Sequence, residues 1–338
     1  MRKTGIYLIS FLVFTACQKD LPLQNAQELN AIVIPEGFPE IEFPEDNVFT
    51  PERWQLGKLL FYDNRLSSNN SINCGSCHLI EKAFSDNKAF SHGVENRLGT
   101  RNSPTLANVA YHPYFTREGG VKTLESQILV PIQEHNEFDF NIIEISKRLS
   151  TDSNYQLMSH KAYGRKLDYY VITRAIANFE RSIISGNSRF DQWRYQNKKH
   201  VLKDIEFKGM QLFYSSKTHC SECHSGFDFT NYKFANNGLY NTYSDIGRKR
   251  LTQHDSDLSV FKIPTLRNIE FTAPYMHDGS IKTLQEVVDH YNAGGKSHPN
   301  KSAKIKPLNL SDDEKQQLLS FLKTLSDESF IHNQTLKP

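Results

Sequence analysis

The chain has 338 residues, a length that allows two ordinary domains, each with a hydrophobic core of its own. Its 40 lysines and arginines nearly balance 38 aspartates and glutamates, and the formal net charge is +2. A balance this close to neutral argues against a nucleic-acid-binding protein, so no nucleic-acid partner is expected.

Residues 1–16 have the pattern of a secretory signal peptide. Arg2 and Lys3 precede an apolar run from Ile6 to Phe14, and small residues follow this run. The apolar run is too short to cross a bilayer as a helix. We therefore expect an exported protein.

The segment FTAC, which ends at Cys17, resembles the lipobox of bacterial lipoproteins. Processing there would make Cys17 the lipidated first residue of the mature protein and would attach the chain to a membrane. An ordinary signal peptide followed by an incidental cysteine is the alternative. Residues 17–46, rich in Pro, Glu and Asn, are predicted to be a tether. The expected location is the cell envelope, either periplasmic or surface-exposed.

The sequences CGSCH (74–78) and CSECH (220–224) use the other four cysteines as two CxxC pairs, each followed by a histidine. Such pairs bind zinc, form redox dithiols or attach haem c. Zinc-binding pairs normally lie within about 15–20 residues of each other, and a redox dithiol does not need the histidine. Haem c needs both thiols for its vinyl groups and the histidine as an iron ligand. Two covalently attached haem c groups are therefore predicted, held by Cys74, Cys77, His78, Cys220, Cys223 and His224.

The surroundings of the two motifs also repeat. The segment PTLANVAYHPYFTREGGVKTL (104–124) aligns without gaps with PTLRNIEFTAPYMHDGSIKTL (264–284). Upstream, GKLLFY (57–62) precedes the first motif as GMQLFY (209–214) precedes the second. Each half thus reads helix, haem motif, loop, PTL segment and helix, which is the pattern of an internal duplication.

Helix signals dominate this pattern. Capping boxes begin two amphipathic helices, one at Thr283 and one at Ser311, and alternation typical of strands is scarce. We therefore predict an all-α protein with two cytochrome c-like haem domains related by internal duplication. The N-terminal domain is predicted over 47–200 and the C-terminal domain over 201–330.

The motifs together resemble the bacterial di-haem cytochrome c peroxidase family, including its MauG branch. The resemblance covers roughly residues 50–325 and is carried by the two haem motifs and by RNSPTL (101–106), TLESQ (123–127), APYMHDGS (273–280) and EVVDHYNAGG (286–295). It implies that one haem meets hydrogen peroxide and the other relays electrons from an external donor, so that peroxide is reduced to water. A small cytochrome c, a cupredoxin and a quinol are all compatible with the sequence as donors, and so is a homodimer.

The two halves differ at the position that decides whether a haem iron stays open. The iron has two axial positions, and CxxCH fills one. At the offset of 160 that relates the PTL segments, Pro131 corresponds to Tyr291. Proline has no side-chain donor, whereas a tyrosine oxygen can ligate ferric iron. We therefore expect the second axial position of the first haem iron to be open and that of the second to be filled by Tyr291, as the resemblance also implies. The alternatives are that Tyr291 is an ordinary core tyrosine or that Met276 is the ligand.

A peroxide site also needs an acid–base group. Gln127 stands where the other half has Val287, so a polar side chain replaces an apolar one on the inward face of a helix, and Glu137 follows in PIQEHNEF. The resemblance makes Gln127 and Glu137 the catalytic residues of the peroxide pocket. Glu134 and His135 are nearby competitors for the acid–base role.

Three positions depart from the family pattern or match it only in part. Arg117, in TREGG, stands where the family usually has a tryptophan between the haems, which puts the usual aromatic relay in question. Trp193 is interpreted as structural. His92 lies in the loop where peroxidases of the family place a distal histidine, although its offset differs; a plain loop histidine is the alternative.

The resemblance further implies a calcium ion between the domains, with Asn102, Thr272 and Pro274 as its ligands. Oxygen donors of this kind suit a hard cation. Turn and capping residues are the alternative interpretation of these three positions.

Two other functions are compatible with the sequence. A MauG-like oxidase would store two oxidising equivalents across both haems and attack a protein residue. A non-catalytic di-haem electron carrier would close both irons with strong ligands, and Pro131 argues against it.

Overall fold

The computed structural model describes residues 32–338. The predicted signal peptide, Cys17 and the first part of the predicted tether lie outside this range. Within it, helices predominate and two short strands form, so the prediction of a helical protein is confirmed. No helix in this range is long and apolar enough to cross a membrane.

The helices before residue 200 begin with α1, whose N-cap Thr50 accepts a hydrogen bond from the backbone N–H of Arg53, and a proline follows at the first helical position. Between residues 32 and 200 seven α-helices form: α1 (Pro51–Phe61), α2 (Leu124–Gln127), α3 (Leu129–Gln133), α4 (Ile142–Ser150), α5 (Ser153–Tyr163), α6 (Tyr169–Glu180) and α7 (Arg189–Arg194).

The helices after residue 200 include the two whose capping boxes were predicted at Thr283 and Ser311, and both capping boxes are present. A small antiparallel sheet pairs β1 (Phe234–Ala235) with β2 (Phe261–Lys262). The five α-helices of this part are α8 (Asp204–Phe213), α9 (Lys249–Thr252), α10 (Leu284–Asn292), α11 (Asp312–Lys323) and α12 (Glu328–Ile331).

The two larger hydrophobic cores of the described residues are each built around one close helix crossing. In the first, α1 crosses α6 at Gly57, where an added Cβ would lie 1.9 Å from the Ala175 carbonyl oxygen. In the second, α8 crosses α11 at Gly209, where an added Cβ would lie 1.9 Å from the Gln317 carbonyl oxygen. Glycine is required at both positions because no side chain fits between the two backbones. The recurring GKLLFY and GMQLFY segments therefore mark two similar crossings.

Short segments of the chain cross from one half to the other. Phe190 in α7 packs in the second core, although it precedes residue 200. Phe330 and Leu336, near the C-terminus, pack in the first core, and the Tyr62 hydroxyl donates to the Leu336 carbonyl at 2.8 Å. These exchanges tie the two cores together.

Part of the predicted tether packs on the body of the protein. The Phe38 ring lies 4.7 Å from the Phe227 ring, and the Arg267 guanidinium lies 4.6 Å above the Phe38 ring. Asp46 forms an ion pair with Arg174. Composition indicated a flexible segment here, but it could not show that Phe38 has an aromatic partner far away in the sequence.

Buried polar groups join the two halves at Ser185. Asn108, in the first PTL segment, donates to the Ser185 carbonyl at 3.0 Å. Asn268, at the corresponding place in the second PTL segment, donates to the Ser185 hydroxyl at 3.0 Å. All three residues are fully buried, so the loss of a partner would leave a polar group unsatisfied. This junction fixes the two PTL segments relative to each other.

We expect Gly209→Ala to destabilise the protein, because α8 and α11 must separate to admit the methyl group. Overpacking typically costs about 1–3 kcal/mol, and the higher helix propensity of alanine offsets up to about 1 kcal/mol of this. Thermal unfolding of the haem-containing protein measures the difference. Gly99→Ala is the control, since its Cβ would meet nothing closer than 3.6 Å. A melting temperature of Gly209→Ala equal to that of the control would contradict the close crossing.

Candidate active site

One continuous cavity of about 610 Å³ extends between the two halves, and both CxxCH motifs line it. None of the four thiols forms a disulfide. The residues predicted to hold haem are therefore brought to a common space: Cys74, Cys77 and His78 from one half, and Cys220, Cys223 and His224 from the other.

The two histidines are held in the same way. The Nδ1 atom of His78 lies 2.9 Å from the Phe84 carbonyl oxygen, and Nδ1 of His224 lies 3.1 Å from the Phe229 carbonyl oxygen. Donation of Nδ1–H to a carbonyl fixes the tautomer and leaves Nε2 with its lone pair. Each imidazole is thus prepared to ligate a metal through Nε2.

The two carbonyl groups reach the histidines because of an uncommon backbone conformation. Phe84 and Phe229 have φ angles of 57° and 50°, in the left-handed region, which is costly for a bulky residue. Both rings are fully buried in their own hydrophobic cores. Burial of the ring offsets the backbone strain and sets the direction of the carbonyl group.

The donors fit haem c. Burial lowers the pKa of His78 and lowers that of His224 to about 4, so both imidazoles are neutral and able to bind iron. Each half therefore offers two thiols and one neutral imidazole, the set that haem c requires. Arg117 and Lys262 also line the cavity and are cations that can pair with the carboxylates of haem.

Gln127 lies at the C-terminal end of α2 and lines the cavity in the first half. Its side-chain oxygen is buried and has no hydrogen-bond partner among residues 32–338. A buried amide oxygen needs a donor, and a polar molecule in the cavity can supply one. The predicted position of Gln127 on an inward helix face agrees with this geometry.

Among residues 131–140, Glu137 has the carboxyl group that is least exposed to water. Burial, and then the negative charge of Glu134, raise the pKa of Glu137 to about 7. Glu134 and His135 are exposed, and His135 Nδ1 lies 3.2 Å from an oxygen of Asp139. Of the three candidates for the acid–base role, Glu137 has the environment that tunes a carboxyl group to neutral pH.

The loop after the first haem motif supports Glu137 but does not bring His92 into the cavity. The backbone N–H of Val94 donates to the Glu137 carbonyl at 2.9 Å, and a Cβ added at Gly93 would lie 2.1 Å from the Asn136 carbonyl oxygen. Ser91 and Gly93 line the cavity, whereas the His92 side chain is exposed. A distal role for His92 therefore has no support from this arrangement.

The corresponding positions in the two halves also face the cavity. Thr123 and Thr283 cap their helices with nearly the same backbone angles, φ −128° and −124°. Pro131 and Tyr291, further along, both line the cavity. The structure therefore places a side chain without a donor in one half and a phenol in the other.

Tyr291 and its rival Met276 lie close to the same side chain, Asn237. Burial raises the pKa of Tyr291 to about 12, although a hydrogen bond with Asn237 acts in the opposite direction. The Asn237 amide donates to the Met276 sulfur at 3.1 Å. Both candidate ligands line the cavity, but the Met276 sulfur already has a donor directed at it.

The residues expected to bind calcium meet a cation from the chain itself. The Arg117 Nε atom donates to the Asn102 carbonyl at 3.0 Å, and its Nη2 atom donates to that carbonyl at 2.6 Å and to Asn102 Oδ1 at 2.8 Å. Thr272 and Pro274 line the same cavity. As the side chains stand, this donor set does not fit a calcium ion.

Trp193 lies outside the cavity lining. Its ring centroid is 6.0 Å from that of Phe190 and 6.0 Å from that of Phe207. These contacts agree with the structural interpretation of Trp193.

Glu180 was missed by the sequence analysis. It ends α6, lines the cavity and is buried, and burial raises its pKa to about 8. The carboxyl group is therefore largely protonated at neutral pH. The signal in the sequence was a glutamate among the apolar residues of a helix that is buried on nearly all sides.

A buried pair at the junction of the two halves was also missed. Lys262 Nζ lies 3.4 Å from His112 Nδ1, and both residues line the cavity. Burial, together with the charge of Arg117, lowers the pKa of Lys262 to about 8. His112 and Lys262 are far apart in sequence, so no local pattern could have joined them.

Known proteins resemble this chain over most of its length. A family model for di-haem cytochrome c peroxidase matches residues 51–200. The methylamine utilization protein MauG of Methylorubrum extorquens is 33% identical over 317 residues, which span 93% of this chain and 87% of that protein. Cytochrome c551 peroxidase of Nitrosomonas europaea is 32% identical over 279 residues, spanning 81% of this chain and 80% of that protein.

A solved structure has the same fold. The crystal structure of a MauG-like protein associated with microbial copper homeostasis superposes with a TM-score of 0.85 and 33% sequence identity, over 90% of this chain and 97% of that one. Membership of the family implies two covalently bound haem c groups and an oxidoreductase activity. The cavity, with two thiols and one imidazole from each half, provides a place for both haem groups. The chain belongs to the di-haem cytochrome c peroxidase family, which includes MauG.

Proposed function

We propose that this chain reduces hydrogen peroxide to water at the haem of the first CxxCH motif, with electrons that an external donor delivers through the haem of the second. The observation that carries the proposal is the pair of Glu137 and Gln127. One offers a carboxyl group with a pKa of about 7 and the other a buried oxygen without a partner, in the same pocket. The second half has Val287 in place of Gln127.

The protein residues would manage protons, whereas the haem iron supplies the site for peroxide and the electrons. Reduction of one peroxide consumes two protons and two electrons and yields two waters. Ionised Glu137 can take the proton from the oxygen of peroxide nearer the iron and return it to the farther oxygen, which leaves as water. The Gln127 amide can hold the peroxide in place for this transfer.

The second haem is proposed to be the relay, closed by Tyr291. The proposal is supported by the exchange of Pro131 for Tyr291 between the halves and by the hydrogen bond that the Met276 sulfur already accepts. A phenolate is a hard anionic donor and stabilises ferric or higher iron more than a thioether does.

A MauG-like oxidation of a protein residue is the second candidate. It is favoured by Tyr291, because an anionic ligand suits an iron that stores oxidising equivalents. The MauG relatives and the MauG-like structure are also about as similar to this chain as the peroxidases are. A purely electron-carrying role is disfavoured, since a carrier has no use for Glu137 and Gln127.

We also propose a domain organisation and a cellular location for the protein. The two halves are proposed to derive from a duplication, with a peroxidatic domain over 47–200 and an electron-transfer domain over 201–330. Supporting this, Phe115 donates to the Val121 carbonyl and Tyr275 to the Ile281 carbonyl, both at 2.7 Å and 160 residues apart. A lipid anchor on Cys17 would hold the enzyme in the cell envelope. Calcium is not part of this proposal.

Glu137→Gln should leave both haems attached but lower kcat/KM for hydrogen peroxide by roughly 100- to 10,000-fold, the usual effect of losing an acid–base group. The wild-type rate should rise with pH through about 7, because the reaction begins with the carboxylate form and burial raises the pKa of Glu137 to that value. Steady-state kinetics across pH measure both effects.

Glu134→Gln is the matched control for that experiment. Loss of the Glu134 charge should preserve turnover but shift the acid limb of the pH profile to lower pH, because this charge helps to raise the pKa of Glu137. Full activity of Glu137→Gln would show that another group transfers the proton.

Tyr291→Phe should abolish the low-spin signal of the second haem in the electron paramagnetic resonance spectrum of the ferric protein and leave the high-spin signal of the first. The reason is that phenylalanine has no oxygen to ligate iron. Met276→Leu serves as the comparison and should keep the low-spin signal. The opposite result, with the signal lost in Met276→Leu and kept in Tyr291→Phe, would make Met276 the ligand.

A further inference from the structure

The contact between Arg117 and Asn102 replaces two features of the family pattern at once. Arg117 stands where the family usually has a tryptophan, and Asn102 is the side chain expected to bind calcium. The guanidinium covers both oxygens of Asn102, with donor–acceptor distances between 2.6 and 3.0 Å. A positive charge is therefore present at this place without a metal ion.

The Asn102 side chain is held so that Oδ1 cannot easily rotate away from Arg117 towards an ion. Its side-chain Nδ2 donates to the Lys88 carbonyl at 3.0 Å, and its backbone N–H donates to the His277 carbonyl at 2.9 Å. The residue is buried. A rotation that freed Oδ1 for an ion would break the hydrogen bonds of Arg117 and Lys88 together, leaving buried groups unsatisfied.

Arg117 and Asn102 are each also tied to the other half of the molecule by a backbone hydrogen bond. The backbone carbonyl of Arg117 accepts a hydrogen bond from Lys262 in β2 at 2.6 Å, while Asn102 is bound to the carbonyl of His277. Arg117 and Asn102 belong to the first half, and Lys262 and His277 to the second. The guanidinium thus locks two segments that each reach across, which is the mechanical role expected of an ion between domains.

The groups around Arg117 also bear on whether a second cation could bind beside it. Arg101 lies close by, and its guanidinium already pairs with the two nearby carboxylates of Glu118 and Asp245. Lys262 adds a further positive charge. A divalent ion at the Asn102 oxygens would lie directly beside the Arg117 guanidinium, while the Glu118 and Asp245 carboxylates are already engaged by Arg101.

We infer that the Arg117 guanidinium takes the place of the interdomain calcium ion, so that the joint between the haem-binding halves does not depend on calcium. The inference uses the family membership and the Arg117 geometry. It does not depend on which reaction the enzyme catalyses.

The first test compares the two-haem protein after dialysis against calcium chloride and after dialysis against EGTA. Metal analysis should find no calcium retained in proportion to protein, and the melting temperature and the ferric electron paramagnetic resonance spectrum should be the same in both samples. One calcium per chain, accompanied by a higher melting temperature in calcium chloride, would overturn the inference. This test needs no variant, so it decides even if a substitution prevents folding.

The second test asks whether removing the guanidinium restores a place for the ion. Arg117→Met removes the charge and all three hydrogen bonds to Asn102 at similar side-chain length. It should melt at lower temperature in EGTA and should bind one calcium per chain, with recovery of the melting temperature in calcium chloride. A folded Arg117→Met protein that binds no calcium would overturn the claim that the guanidinium takes the place of the ion.

Two comparison variants separate charge from geometry. Arg117→Lys keeps the positive charge but cannot form the forked contact, so it should melt at lower temperature and still bind no calcium. Arg248→Met removes another arginine at the junction, which donates to the Glu118 carbonyl at 2.7 Å and does not contact Asn102. It should show no calcium dependence. Because none of these measurements uses peroxide turnover, they can fail while the proposed peroxidase function stands.

Discussion

The hydrogen bond from the histidine of each CxxCH motif to a phenylalanine carbonyl connects the predicted haem sites to the packing of the protein. The carbonyl of Phe84 faces His78 because Phe84 has a left-handed backbone conformation, and that conformation is held by burial of its ring. The ring packs against Phe61 at the end of α1, and α1 is held against α6 through Gly57. In the second half, Phe229 packs against Phe213 at the end of α8. A change at a helix crossing can therefore reach the iron ligand.

This common framework allows the differences between the halves to be interpreted as chemistry. The helices that follow the PTL segments start from the same type of threonine cap, and the corresponding pairs Gln127 and Val287, and Pro131 and Tyr291, all line the cavity. Where the packing requires an apolar residue, both halves have one: Leu124 and Leu284 are both buried. Where the halves differ, as in Gln127 against Val287, Val287 packs against the second core, whereas Gln127 places a buried oxygen without a described partner at the cavity.

The features predicted from sequence were those set by neighbouring residues. The two CxxCH motifs and the capping boxes of α10 and α11 depend on residues within one or two turns, and they could be recognised directly. The contacts of Phe38, the burial of Glu180 and the pairing of His112 with Lys262 depend on segments far apart in the chain. The raised pKa of Glu137 likewise comes from burial, which a residue pattern alone does not measure.

Tyr291 and Arg117 bear in opposite directions on the choice between the peroxidase and the MauG-like oxidase. Tyr291 offers a ligand suited to highly oxidised iron, which favours storage of oxidising equivalents on the second haem. By the resemblance to the family, Arg117 stands where an aromatic residue would lie between the haems, and a guanidinium cannot be oxidised in its place. The Phe261 and His277 rings are stacked 4.3 Å apart, and the Arg101 guanidinium over Phe261 is paired with Glu118 and Asp245. Storage shared between the haems is thus disfavoured, whereas stepwise electron delivery for peroxide reduction needs no oxidised side chain.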